Sequence, residues 1–132
     1  MASDEQKQLA IKFLDNFNHA DSEVFASLVT DDFRFEIVSS LKEFPPITGG
    51  REFAIREAET LKRLFPEGLK LKLETVISEG PHVVVLAKAD TVAMNGKSYC
   101  QRYAFYLRFE GSRIAEGREY NDTNLVREVF IG

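Results

Sequence analysis

The run Asn95-Gly96-Lys97-Ser98-Tyr99-Cys100-Gln101-Arg102-Tyr103-Ala104-Phe105-Tyr106-Leu107-Arg108-Phe109 decides the fold. Asn95-Gly96 is a strong type I′ hairpin signal, and it predicts one strand over about 82–93 and a second over about 97–109. Neighbours on a strand point to opposite faces, so Tyr99, Tyr103, Phe105, Leu107 and Phe109 form an apolar face. Arg102, Tyr106 and Arg108 fall on the other.

Working outward, Gly80-Pro81 is a turn, and before it Leu69, Leu71, Leu73 and Ile77 alternate with Lys70, Lys72 and Glu74 as a strand does. After the hairpin, Glu110-Gly111-Ser112 turns the chain into a last strand over about 113–121. Asp122-Thr123-Asn124 then opens a terminal amphipathic turn of helix with Leu125, Val126 and Val129. Towards the N-terminus, Arg51 to Phe65 carries Ala54, Ala58, Leu61 and Phe65 on one helical stripe, stopped by Pro66 and Gly68. Phe44-Pro45-Pro46-Ile47-Thr48-Gly49-Gly50 is loop chemistry. Phe33, Phe35 and Ile37 alternate with Arg34 and Glu36 as a first strand. Asp21 can cap a short helix from Glu23 to Val29, and Ser3 with Gln6 has capping-box spacing ahead of Leu9, Phe13 and Phe17. Helix, helix, strand, helix and four strands make an α+β class. That order implies a strongly curved antiparallel sheet with helices against one face, over residues 1–132 as a single domain.

Composition bounds the partners. Residues that are 44% apolar and 29% charged exclude disorder, and 132 of them can bury roughly two-thirds of their unfolded surface. The longest apolar run, Val83 to Ala87, is far below the ~18 residues a membrane span needs, and the Ser3-Asp4-Glu5 start is acidic, through Asp4 and Glu5, where a signal peptide is basic. With 17 basic side chains scattered among 21 acidic ones, for a net charge of -4, neither nucleic acid nor a membrane is an expected partner. Cys100 is the only cysteine, so no intramolecular disulfide forms, and no Cys/His cluster has metal-ligand spacing. A reducing cytoplasm without a structural metal is the expectation.

The element order resembles the SnoaL-like branch of the nuclear-transport-factor-two superfamily. So do the stretch Gly96 to Phe109, the ending Arg113-Ile114-Ala115-Glu116-Gly117-Arg118-Glu119-Tyr120-Asn121-Asp122-Thr123, Asn18 to Asp21, and Thr30-Asp31-Asp32. The resemblance implies an α+β cone of curved antiparallel or mixed sheet wrapped around the N-terminal helices, with a pocket and, commonly, a homodimer through the convex sheet face. Arg102, Tyr106, Arg108, Glu116, Arg118 and Tyr120 would form that face, of residue types enriched at interfaces.

The superfamily hosts many chemistries, so function rests on the pocket residues. Limonene epoxide hydrolase carries an Arg-x-Asp on one strand and a second carboxylate on the last. The resemblance puts Lys88-Ala89-Asp90 and Glu119 in those places, a trio in which a cation would hold one carboxylate as base while burial keeps the other as acid. Phe35 and Ile37 stand where that enzyme has the Tyr and Asn that help hold its water. The ketosteroid isomerase oxyanion Tyr, base Asp and protonated Asp fall on Phe13, Ile37 and Phe105, so that chemistry is rejected. His19 and His82 lie at turns and are not the pocket histidines of scytalone dehydratase. SnoaL-type aldol cyclases use a last-strand carboxylate, again Glu119, without metal or cofactor. Tyr103, Tyr99 and Gln101 could donate hydrogen bonds to a substrate oxygen. Phe13, Phe17, Phe35, Ile37, Leu61 and Phe105 would line the pocket for a small hydrophobic terpenoid- or polyketide-like molecule, with Ser39 to Gly50 as its rim.

Two functions stay open: an acid–base hydrolase, lyase or cyclase, and a non-catalytic ligand-binding or dimerisation module. In the second, Lys88, Asp90 and Glu119 are structural and phenylalanines fill the cone.

Overall fold

Helix α1 (Ser3–Asp15) buries Ala10, Phe13 and Leu14 along one stripe, and short α2 (Ser22–Leu28) buries Phe25 and Leu28. The computed structural model describes Ser3 to Ile131, and Ser3 by its backbone alone, so the Ser3–Gln6 cap falls outside the described residues. The expected cap of α2 is present: Asp21 Oδ1 accepts from the backbone N–H groups of Glu23 and Val24 at 2.9 and 3.3 Å. Between the helices Asn16 brackets Asp21, donating to its carbonyl and accepting from its N–H.

Strand β1 (Val29–Ile37) follows α2 directly. A two-residue β2 (Ile47–Thr48) pairs antiparallel with it inside the segment read as loop, and α3 (Gly50–Leu64) then crosses the sheet. Strands β3 (Leu71–Glu79), β4 (His82–Val92), β5 (Ser98–Glu110) and β6 (Arg113–Asn121) run on by turns to α4 (Thr123–Phe130). The sheet is mixed, in the order β2-β1-β6-β5-β4-β3, because β1 pairs parallel with β6 and every other pair is antiparallel. It is curved and unclosed, with β2 and β3 as free edges.

Two local expectations are corrected. Gly68 and Lys70 both take left-handed φ (91° and 58°), so the third strand starts at Leu71 rather than Leu69. Its register then slips between Leu73 and Thr75, which turns Val76 inward and leaves Ile77 57% exposed. At the hairpin only Gly96 has a positive φ, and its N–H bonds to the Ala93 carbonyl. The turn is therefore longer than the two-residue type I′ form, which needs two such residues.

The helices cover one face of the sheet. Phe13 stacks on Phe53 at 5.8 Å between ring centroids, and Phe25, Phe33 and Phe35 pack against the same Phe53 ring. Two glycines permit this closeness. A Cβ on Gly117 would lie 3.0 Å from Phe35, and one on Gly50 would lie 2.3 Å from the Thr30 carbonyl oxygen. Among the described residues no helix is long and apolar enough to cross a membrane.

Candidate functional site

Strand register sets the inner face row by row. One row runs Ile37, Glu119, Phe105, Val85 and Val76 across five strands, a carboxyl between apolar neighbours. The next carries Asn121, Tyr103 and Ala87. From above, α3 lays Phe53, Ala54, Glu57, Ala58, Leu61 and Leu64 on this face. Glu57 thus holds a core position on the helix, and it was missed from the sequence. The available signal was an acid at the i+3 and i+4 spacing of a buried stripe.

These residues meet in a cavity of about 200 Å³ that borders the packed phenylalanines. Phe17, Phe35, Leu61, Phe65 and Leu69 give it apolar walls, and α4 adds Val126 and Phe130. Glu43, Phe44, Pro45 and Ile47 from the segment expected as rim also line it. Arg56 and Arg63 stand exposed at its edge, Arg56 paired along the helix with Glu52 at 3.6 Å.

Both acids are more than nine-tenths buried, at 8% and 6% exposure for Glu57 and Glu119. Burial pushes Glu57 up to about 7, and among the described residues no hydrogen bond or ion pair opposes it. Burial also pushes Glu119 up to about 8, the charge of Glu57 adds to the rise, and a hydrogen bond from Asn121 Nδ2 to Oε2 at 2.8 Å works against it. The Asn121 Oδ1 is buried without a donor. Tyr99 and Tyr103 join their hydroxyls at 2.9 Å, and Gln101 Nε2 donates to the Tyr99 oxygen at 3.3 Å. Burial, then the nearby carboxyls, push Tyr99 up to about 12 and Tyr103 well above its ordinary value.

The expected trio is not assembled. Odd positions of β4 (Val83, Val85, Ala87, Ala89, Thr91) face the core, so Lys88 and Asp90 lie exposed on the outer face, across the sheet from Glu119. Lys88 pairs with Glu74 at 3.7 Å, and Asp90 accepts from the Cys100 thiol. Val83 to Leu86 are apolar on both faces, so periodicity could not assign parity there, and the parity taken from the resemblance is the wrong one.

Of the expected lining, Phe17, Phe35, Ile37, Leu61, Tyr99 and Tyr103 do face the cavity. Phe13 and Phe105 are wholly buried in the ring cluster and do not. Gln101 also stays behind the wall. Its amide is spent on Tyr99, on the Asp122 carbonyl and N–H, and on the Arg102 N–H. The six residues expected on the convex face all lie on the outer side: Tyr106 under the Arg118 guanidinium at 5.2 Å, Glu116 between Arg108 and Arg118, and Arg102 and Tyr120 exposed. His19 and His82 are exposed at turns. Among the described residues no three Cys, His, Asp or Glu gather to hold a metal.

A family model for the SnoaL-like domain matches residues 10–117. The chain belongs to the SnoaL-like domain family. The architecture agrees with solved members of the wider group. An LEH-like epoxide hydrolase from M. tuberculosis aligns with a TM-score of 0.78 at 19% identity, over 97% of this chain and 91% of that one. An NTF2-like protein of unknown function from Burkholderia pseudomallei aligns at 0.83 and 20% identity over 100% of both chains. A candidate SnoaL-like polyketide cyclase from Jannaschia sp. aligns at 0.78 and 20%, over 95% of this chain and 90% of that one. At these identities the likeness establishes the fold. No curated protein shows a significant sequence match. The SnoaL-like and NTF2-like group spans epoxide hydrolases, cyclases and isomerases, so what this member does rests on its own cavity.

Proposed function

We propose that the cavity is a cofactor-independent acid–base site for a compact, mostly apolar molecule of terpenoid- or polyketide-like character, in a hydrolase, lyase or cyclase reaction. The observation that carries this reading is the pair Glu57 and Glu119, two buried carboxyls facing one apolar cavity, neither in a salt bridge among the described residues. Like charges in a dry site cannot both ionise readily, so one carboxyl keeps its proton while the other gives its proton up. Glu119, raised to about 8, is the acid that protonates a substrate oxygen near neutral pH; Glu57, raised to about 7, is the base. Proton transfer by positioned groups contributes roughly 10²- to 10⁴-fold each. Gln101 donates to Tyr99, which directs the Tyr99 proton towards Tyr103 and leaves the Tyr103 hydroxyl to donate into the cavity.

The test is a carbon-detected NMR titration of both carboxyls, with Glu57→Gln and Glu119→Gln for assignment, followed by a substrate screen. Midpoints near 7 and 8 support the site; ordinary carboxylate midpoints for both overturn it. A second reading, ligand binding without turnover, is favoured by the cavity's size, which lies below the ~300–1,000 Å³ of most ligand sites. Raised midpoints with no turnover on any substrate class would select it. We further propose that the protein works in a reducing cytoplasm, where Cys100 remains a thiol, as a homodimer joined through the outer sheet face.

A further inference from the structure

We propose that the ligand of this cavity carries a protonated amine, seated between Glu57 and Glu119 with its hydrocarbon body against the aromatic wall. The inference deepens the acid–base reading, since it uses the same two carboxyls, but it concerns the charge of the ligand and stands on the balance of donors and acceptors. Glu57 is nine-tenths buried, faces the cavity and meets no hydrogen-bond donor among the described residues. Glu119 receives one hydrogen bond, from Asn121, and the Asn121 Oδ1 is itself buried without a donor. Once the carboxyls ionise, Glu57, Glu119 and Asn121, all on the lining of one cavity, offer acceptor oxygens against the single Asn121 donor, and buried acceptors of this kind are normally paired. A primary ammonium supplies three N–H donors and the missing positive charge at once. Phe17, Phe35 and Phe65 in the wall suit both an apolar body and a cation near ring faces.

The other titratable and charged groups on the cavity are Glu43 from the rim segment, Arg56 and Arg63 from α3, and Tyr99 and Tyr103 from β5. The two tyrosines stay neutral, raised well out of the working range. The two arginines are exposed, one already paired with Glu52, so water and salt screen them while the buried carboxyls are not screened. The interior of the site thus favours a cation even though its edge carries two positive charges. Ionising the carboxyls to receive the amine releases protons, so affinity falls as pH drops through their titration range.

Three probes of matched shape test this on the full chain by calorimetry: cyclohexylmethylamine, cyclohexylmethanol and cyclohexanecarboxylate. The amine is expected to bind at least about tenfold tighter than the alcohol at about pH 8, and to weaken by roughly tenfold at about pH 6, with proton release seen as a buffer-dependent heat. Glu57→Gln and, separately, Glu119→Gln should each remove the preference for the amine, with circular dichroism and urea unfolding showing that each variant is folded. Alcohol or carboxylate binding as tightly as the amine, or no probe binding at all, overturns the proposal. An alcohol preference with carboxyl midpoints still near 7 and 8 removes only the amine and leaves proton transfer standing. Carboxyls that titrate in the ordinary range remove both.

Discussion

Glu119 lies in line with Ile37 and Phe105, and its cost to the fold depends on whether it carries a proton. Its folded midpoint of about 8 is above the ordinary 4.5, so the folded state holds the proton more tightly than the unfolded one. The sign follows: the contribution to stability is fully present below about pH 4.5 and is lost as pH rises to about 8. Glu57 acts in the same direction between 4.5 and about 7. Urea unfolding should therefore show stability falling by a few kcal/mol over that window, and Glu119→Gln should change little near pH 5 yet stabilise by about 1–3 kcal/mol near pH 8. A variant equally destabilised at both pH values would contradict this. A second residue-level asymmetry concerns the joined hydroxyls. Tyr103→Phe leaves the Tyr99 oxygen its bond from Gln101, whereas Tyr99→Phe strips the Tyr103 hydroxyl of the one partner it has among the described residues. Tyr99→Phe should thus cost about 1 kcal/mol more than Tyr103→Phe in the same assay. Glu119 was reached through the resemblance, which puts a carboxylate on the last strand, and the structure holds it on the inner face. Glu57 was not, because a helix rich in charged residues hides one acid on its buried stripe unless every position is placed on the wheel.

Elements carry their own constraints. The N–H that opens β3, at Leu71, bonds to Asn18 Oδ1 at 2.6 Å, and the Leu71 carbonyl accepts from Asn18 Nδ2 at 3.0 Å. One side chain after α1 thus fixes where the edge strand begins. Asn18→Ala orphans two half-buried backbone groups and should cost about 1–3 kcal/mol, with hydrogen exchange faster in β3 than in β5. The start of α3 is pressed on β1 so closely that Gly50→Ala sets a methyl 2.3 Å from the Thr30 oxygen, and backbone must move. A loss of about 1–3 kcal/mol is expected there. Gly80→Ala meets open space, and its cost is confined to the positive φ of 55°. The strands, α2 with its Asp21 cap, and α3 were readable from alternation and capping chemistry. The bulge at Leu73–Thr75 and the pairing of Phe35 with Ile47 were not, since both arise from contacts between strands distant in sequence. The parity of β4 failed for a related reason: the run Val83 to Leu86 is apolar on both faces, so its start has no alternation to read.

For the whole molecule, the two faces of the sheet divide the labour. The inner face holds the cavity, while the outer face presents Ile77 and Leu86 at 57% and 42% exposure among Arg102, Arg118, Glu116 and Tyr120. A two-fold axis through this face would set the same patch against itself, and its mixture of signs lets Glu116 of one copy approach Arg102 or Arg108 of the other. Sedimentation should then give twice the 15.0 kDa chain mass at micromolar concentrations, with a Tm that rises with protein concentration. Leu86→Glu changes a side chain that is already exposed. It should yield a monomer whose carboxyls titrate as in the parent, because the substituted face lies across the sheet from Glu57 and Glu119. Linkage extends the argument. A ligand in the inner cavity touches no outer-face side chain, so binding it should leave the dimer dissociation constant unchanged within about twofold, and dimerisation should leave ligand affinity unchanged by the same factor. A larger shift would mean that the outer rows move when the cavity fills. The residues to examine would then be Arg118 and Tyr120, which flank Glu119 on β6 and face the other way.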